Sequence, residues 1–164
     1  MTGKPRRSYE AGHRPKFLVV VDETPECDKA LYFAARRAGR IGADLLMLWV
    51  INPPDYQHWM GVGDLMKAEA EEDANRHLET AAERARAVAA IEPQRAIRTG
   101  PRAEEIVKLI EEDEDISLLI LAAGTSNDGP GPLVTYATKA AASFPVPIAI
   151  VPGQLADKDI DALA

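Results

Sequence analysis

Apolar residues in this chain come in short unbroken runs separated by stretches of helical periodicity. The first run, residues 17–21 (FLVVV), stops at Asp22-Glu23-Thr24-Pro25-Glu26, which predicts a strand and then a helix with Thr24 at the cap and Pro25 in the first turn. Ala30, Phe33, Ala34, Ala38 and Ile41 recur at helical spacing until Gly42, and residues 45–51 read as the next strand. Asn52-Pro53-Pro54 closes it. A looser stretch to about residue 64 carries Tyr56, His58, Trp59, Met60, Gly61 and Gly63. Residues 65–90 contain no Gly or Pro and predict a long exposed helix with Leu78, Ala81, Ala82, Ala85 and Val88 on its apolar face. Residues 94–98 form a weak third strand ending in Thr99-Gly100-Pro101. Ile106, Val107 and Ile110 then share one face of a helix that runs into the acidic stretch 111–115, read as a solvated helix end. A fourth strand at 116–121, a Gly and Pro loop at 124–132, a small-residue helix at 133–143 and a last strand at 148–151 complete the pattern.

Strands that alternate with helices, each strand nearly all apolar, predict an α/β fold: a doubly wound parallel sheet of five strands with helices on both faces. Right-handed crossovers and the usual winding order put the first strand beside the fourth, and ligands bind where the chain direction reverses between them. Two loops meet at that switch point, residues 22–25 and residues 124–132.

At 164 residues, 46% hydrophobic and 27% charged, the chain suits one domain with a sizeable core. No apolar run is long enough to span a membrane. The basic start leads into polar residues and not into an apolar leader, so the expected location is cytoplasmic. The net charge of −7 is unevenly spread: Lys4, Arg6, Arg7, Arg14 and Lys16 against Glu10 give residues 1–16 a net of +4, leaving −11 for the rest. A body of that sign is a poor partner for nucleic acid. Residues 1–16 are expected to be a flexible basic arm that adds little to stability, with contact to an anionic surface as the other reading; residues 17–153 form the domain and residues 154–164 a loose acidic tail.

The single Cys27 excludes an intrachain disulfide, and its neighbours Glu26 and Asp28 oppose a thiolate, so it reads as structural. His13, His58 and His77 have none of the spacings of a catalytic zinc site. The aromatic stretch Tyr56, His58, Trp59, Met60 has three readings: a lid over the switch-point cleft, a partner patch, or packing on its own domain.

Three segments together resemble the universal stress protein family: FLVVVDETPECDKALYFAARRAGRIGADLLMLWVINPP, RTGPRAEEIVKLIEED and LLILAAGTSNDGPGPLVTYATKAAASFPVPIAIVP, spanning about residues 17–153. The first has the family's Val-Asp-x-Ser/Thr turn, Ala-rich helix and Gly-Ala-x-Leu approach to the second strand. The second has its Gly-x-x-Ala-x-x-Ile element, and the third its Pro-x-Pro before the closing strand. The resemblance implies a fold of the adenine nucleotide alpha hydrolase kind with strand order 3-2-1-4-5, usually homodimeric, in a stress-response regulatory protein. Some members bind ATP and others do not.

By resemblance, Asp22 occupies the family's binding-site Asp, with Thr24 beside it, and Val50 the position that contacts adenine. ATP-binding members carry Gly-x2-Gly-x9-Gly-Ser/Thr after the fourth strand. Here Gly124 takes the first place, but Asn127 takes the second and Val134-Thr135 stand where Gly-Ser/Thr belongs, with ten positions from Gly124 to Val134 against thirteen in the motif. Gly124, Gly129 and Gly131 offer the freedom that a cradle of backbone N–H groups needs, and Thr135 lies in the first turn of a helix whose dipole attracts anions. Pro130 and Pro132 remove two donors from the same loop. Two readings stand: a weakened phosphate site, or a rigid connection into the helix. Asp22 can reach a ribose hydroxyl or a phosphate-bound metal, close a local Asx turn with Thr24 or Glu26, or do both at once.

The expectation that follows is ATP, with Mg, held weakly at roughly 10 μM to 1 mM. The alternative is a dimeric interaction protein of the same fold that binds no nucleotide. Neither Ser-Gly-Gly-x-Asp-Ser nor His-x-Gly-His, signatures of related enzymes, is present, so catalysis is not expected. The closing strand 148–151, with Ile148 and Val151 at its ends, is expected to be an exposed edge that pairs with its twin in a homodimer; an unidentified regulatory protein is the other expected partner.

Overall fold

Each apolar run is a strand in the computed structural model, which describes residues 4–53, 56–61 and 63–164, with 56 and 57 by backbone alone. The strands are β1 (Lys16–Val20), β2 (Asp44–Ile51), β3 (Gln94–Thr99), β4 (Ile116–Ala123) and β5 (Ile148–Pro152). All pair in parallel in the order β3-β2-β1-β4-β5, so β1 and β4 lie side by side. Val19 of β1 is level with Met47 of β2 and Ile120 of β4. Because successive side chains turn to opposite faces, Phe17, Val19 and Val21 enter one core while Leu18 and Val20 enter the other.

The first core is closed by α1 (Cys27–Ile41) and α3 (Asp64–Ala89), the second by α4 (Arg102–Glu112) and α5 (Pro132–Ala140), and the short α2 (Tyr56–Met60) stands between β2 and α3. Ala34, Ala35 and Ala38 of α1 share the first core with Ala81, Ala82 and Ala85 of α3. Side chains this small let the two helices approach closely: a Cβ on Gly39 would stand 3.0 Å from that of Ala89.

Five expectations change. Helix α1 begins at Cys27, because Thr24 does not cap it: the Thr24 N–H and hydroxyl both turn back to Asp22, and Glu26 holds the cap position without a side-chain cap bond. Residues 56–60 are helical where a loop is expected; Pro54 and the side chain of Tyr56 lie outside the described residues.

The tail is not loose. It forms α6 (Asp157–Leu163), which buries Ile160 in the first core and is tied to α1 by Tyr32 Oη and Arg36 Nε donating to Asp161 Oδ1 at 2.7 and 2.9 Å. Nor is the arm flexible from residue 6 on. Arg6 Nη1 donates to the carbonyls of Ile110, Asp113 and Ile116, buried Ser8 donates to that of Asp115, and Lys16 Nζ meets Asp113 Oδ2 at 2.6 Å. The acidic stretch at the end of α4 is therefore the dock for the basic arm and not a solvated end. Among the described residues no helix is long and apolar enough to cross a membrane.

Candidate functional site

β1 delivers Asp22 to the carboxyl edge of the sheet, two residues beyond its last position, Val20. Asp22 Oδ1 accepts the Thr24 N–H at 2.9 Å and the Thr24 hydroxyl at 2.5 Å, which is the local Asx turn. Cys27 braces the same turn: its Sγ lies 3.4 Å from the Asp22 N–H that it accepts and 3.5 Å from the Val20 carbonyl to which it donates. Burial pushes the Cys27 thiol up to about 11, against a smaller opposing effect of the Asp22 N–H, so it is a protonated structural group at neutral pH. This matches its sequence reading.

A cleft of about 820 Å³ opens above the ends of β1 and β2, lined by Asp22, Thr24, Trp49, Val50, His58, Trp59 and Arg102 among others. Val50 is 95% covered and belongs to the second core as much as to the cleft floor. Trp49 stacks on His77, with ring centroids 4.4 Å apart and planes 11° from parallel. His77 in turn faces Glu23 and Asp73 at 3.4 and 3.5 Å; Asp73 is its i,i+4 neighbour on α3, and Glu23 joins them only through the fold. His58 and Trp59 of α2 line the cleft, as the lid reading of the aromatic stretch requires, whereas Met60 is exposed.

A second cavity of about 800 Å³ lies beyond Thr24 and Glu26, walled by Gly124, Gly129, Gly131, Thr135 and Lys139. A narrow neck of about 50 Å³ adjoins both, bounded by Asp22, Thr24, Glu26, Arg102, Pro130 and Gly131. The structure thus divides the residues picked from the sequence. Asp22, Thr24 and Val50 line the first cleft, and the glycines and Thr135 line the second cavity, with Asp22, Thr24 and Gly131 at the neck.

The glycine loop is partly closed on itself. Gly129 and Gly131 do take positive φ, 99° and 103°, but the Gly124 N–H donates to the Pro130 carbonyl and the Gly129 N–H to that of Ser126. Gly124 instead makes room for Glu26, whose Oε1 lies 3.0 Å from where a Cβ on Gly124 would stand. Thr135 is exposed, and its hydroxyl donates to the Gly131 carbonyl at 2.9 Å at the start of its own helix. The Glu26 carboxylate thus stands in the glycine loop, and two of the loop's N–H groups, those of Gly124 and Gly129, are engaged within it. Glu26 and Arg102 are the two residues that the sequence reading missed. Arg102 sits at the first position of α4 just after β3, on the carboxyl edge of the sheet, and that position was the available signal.

The family model described as "Universal stress protein family" matches residues 13–152. The chain belongs to the universal stress protein family. Solved structures with this universal stress protein fold include UspA from Lactobacillus plantarum, at 18% identity and TM-score 0.64 over 84% of this chain and 97% of that one. Another is a universal stress protein in complex with cAMP, at 17% identity and TM-score 0.63 over 85% and 98% of the two chains. A third is the universal stress protein from Archaeoglobus fulgidus in complex with dAMP, at 18% identity and TM-score 0.57 over 84% and 96%. A comparison with curated protein sequences gives no match.

Proposed function

We propose that this universal stress protein is a cytoplasmic stress-response regulator that holds an adenine nucleotide at the β1/β4 switch point and acts by changing conformation or partner, without turnover. The observation that carries the reading is the cleft of about 820 Å³, which has the volume of a small-ligand site and the Asp22 and Val50 edge where such folds bind ligands. Apolar walls from Trp49, Val50 and Trp59 suit a purine, and Asp22 keeps a second carboxylate oxygen for a ribose hydroxyl while its first serves the turn. Two proteins of the same fold were solved with cAMP and with dAMP, which supports a nucleotide of this class. Weak ATP binding with Mg is the outer limit of this proposal, given the obstructed glycine loop. Mass spectrometry of purified protein after denaturation tests it: co-purified adenine nucleotide, or its uptake on incubation, supports the reading.

Glu26 in the loop favours a second reading, a dimeric interaction protein of the same fold without nucleotide. In either case β5 is an edge strand with Ile150 42% exposed, which supports a homodimer through that strand.

A further inference from the structure

We infer that the neck between the two cavities is a subsite for a single phosphate, held by Arg102 and limited by Glu26, so that the protein takes adenosine 5′-monophosphate in preference to the triphosphate. The inference rests on the reading of the first cleft as an adenine-nucleotide site and specifies its ligand class.

Arg102 carries the positive half of the argument. Its Nε is buried and has no hydrogen-bond partner among the described residues, and no carboxylate among them comes within ion-pair distance of its guanidinium. A buried guanidinium donor without an acceptor is costly, and in a chain with 26 acidic residues a partner would be easy to supply. Arg102 also lines both the first cleft and the neck, between the place of a base in the cleft and the glycine loop. Phosphate oxygens are the acceptors that a planar fork of this kind matches.

Glu26 carries the negative half. Its Oε1 stands 3.0 Å from a Cβ placed on Gly124 and 3.9 Å from one placed on Gly131, so the carboxylate occupies the hollow between the two glycines. The Gly124 and Gly129 N–H groups are taken by carbonyls of their own loop, and Pro130 and Pro132 have none to offer. A phosphate in the neck meets Arg102. A second and third phosphate would run on into the Glu26 carboxylate, where like charges repel at low separation.

Calorimetry with adenosine, AMP and ATP on the full chain, without and with Arg102→Gln and Glu26→Gln, tests this. Wild type is expected to bind AMP about tenfold or more tighter than adenosine and to bind ATP more weakly than AMP. Arg102→Gln should lower AMP affinity about tenfold to a hundredfold and adenosine affinity much less, while Glu26→Gln should raise ATP affinity about tenfold, more than it raises AMP affinity. ATP binding tighter than AMP in wild type, or equal losses for adenosine and AMP in Arg102→Gln, would overturn the subsite and leave the nucleotide reading standing. Absence of binding by all three ligands would overturn both. Should Arg102→Gln not fold, the wild-type order of the three ligands decides alone.

Discussion

Arg6 Nη1 donates to the carbonyl of Ile110 at 2.7 Å, so a residue near the start of the chain closes the C-terminal end of α4. The last carbonyls of a helix lack partners within it, and a cation there also meets the negative end of the dipole. No acidic residue of α4 could do this. Arg6→Ala should therefore cost about 1–2 kcal/mol and lower Tm by about 2–8 °C, read by thermal unfolding. An unchanged Tm would show that the arm rests on the domain without stabilising it.

Asp161 ties α6 to α1, and the Tyr32 hydroxyl, ahead of Arg36, holds its carboxyl below the usual carboxylate range. A depressed folded value means that the contact is present above the ordinary value and lost as pH falls through the lowered one. Hydrogen exchange should show α6 amides protected at neutral pH and released in Asp161→Ala, with the protection in wild type fading below about pH 4. Protection that survives the substitution would place the docking energy in Ile160 alone.

Cys27 gives a pH dependence of the other sign. Its folded thiol value of about 11 lies above the ordinary 9.0, so the folded state keeps a proton that the unfolded chain releases. Stability should fall by about 2–3 kcal/mol between about pH 9 and 11 from this group, and that part should vanish in Cys27→Ala when the two chains are compared by urea unfolding across the range. The same burial should make Cys27 slow to alkylate at pH 7 in the folded protein.

The homodimer through β5 turns on Ile150, the exposed apolar residue in the middle of an edge strand. Ile150→Lys should give a monomer in analytical ultracentrifugation at micromolar concentration, where the unchanged chain sediments as a dimer. A wild-type monomer would remove this interface.

The sheet was legible because the strands other than β3 announce themselves by continuous apolar runs, β3 by its place between two helices, and crossover helices by a repeat such as Ala30, Ala34 and Ala38. The arm and tail were not, because their docking rests on scattered contacts, such as Arg6 to backbone carbonyls, Lys16 to Asp113, Ile160 to the core and Asp161 to Tyr32, and these leave no period in the sequence. At the site, Asp22 and the shortened glycine loop were legible from their place after β1 and β4. Glu26 and Arg102 were not, since they meet at the neck only after α1 and α4 have folded onto opposite faces of the sheet.

The chain's two tryptophans, Trp49 and Trp59, both line the first cleft, so their emission reports on that cleft without a label. A titration of AMP into the full chain, followed by this emission and by calorimetry at two temperatures, tests the central claim most directly. A saturable change in Trp emission that matches a calorimetric isotherm and weakens about tenfold to a hundredfold in Asp22→Ala is the predicted result. No heat at either temperature and no change in emission up to millimolar AMP would contradict it.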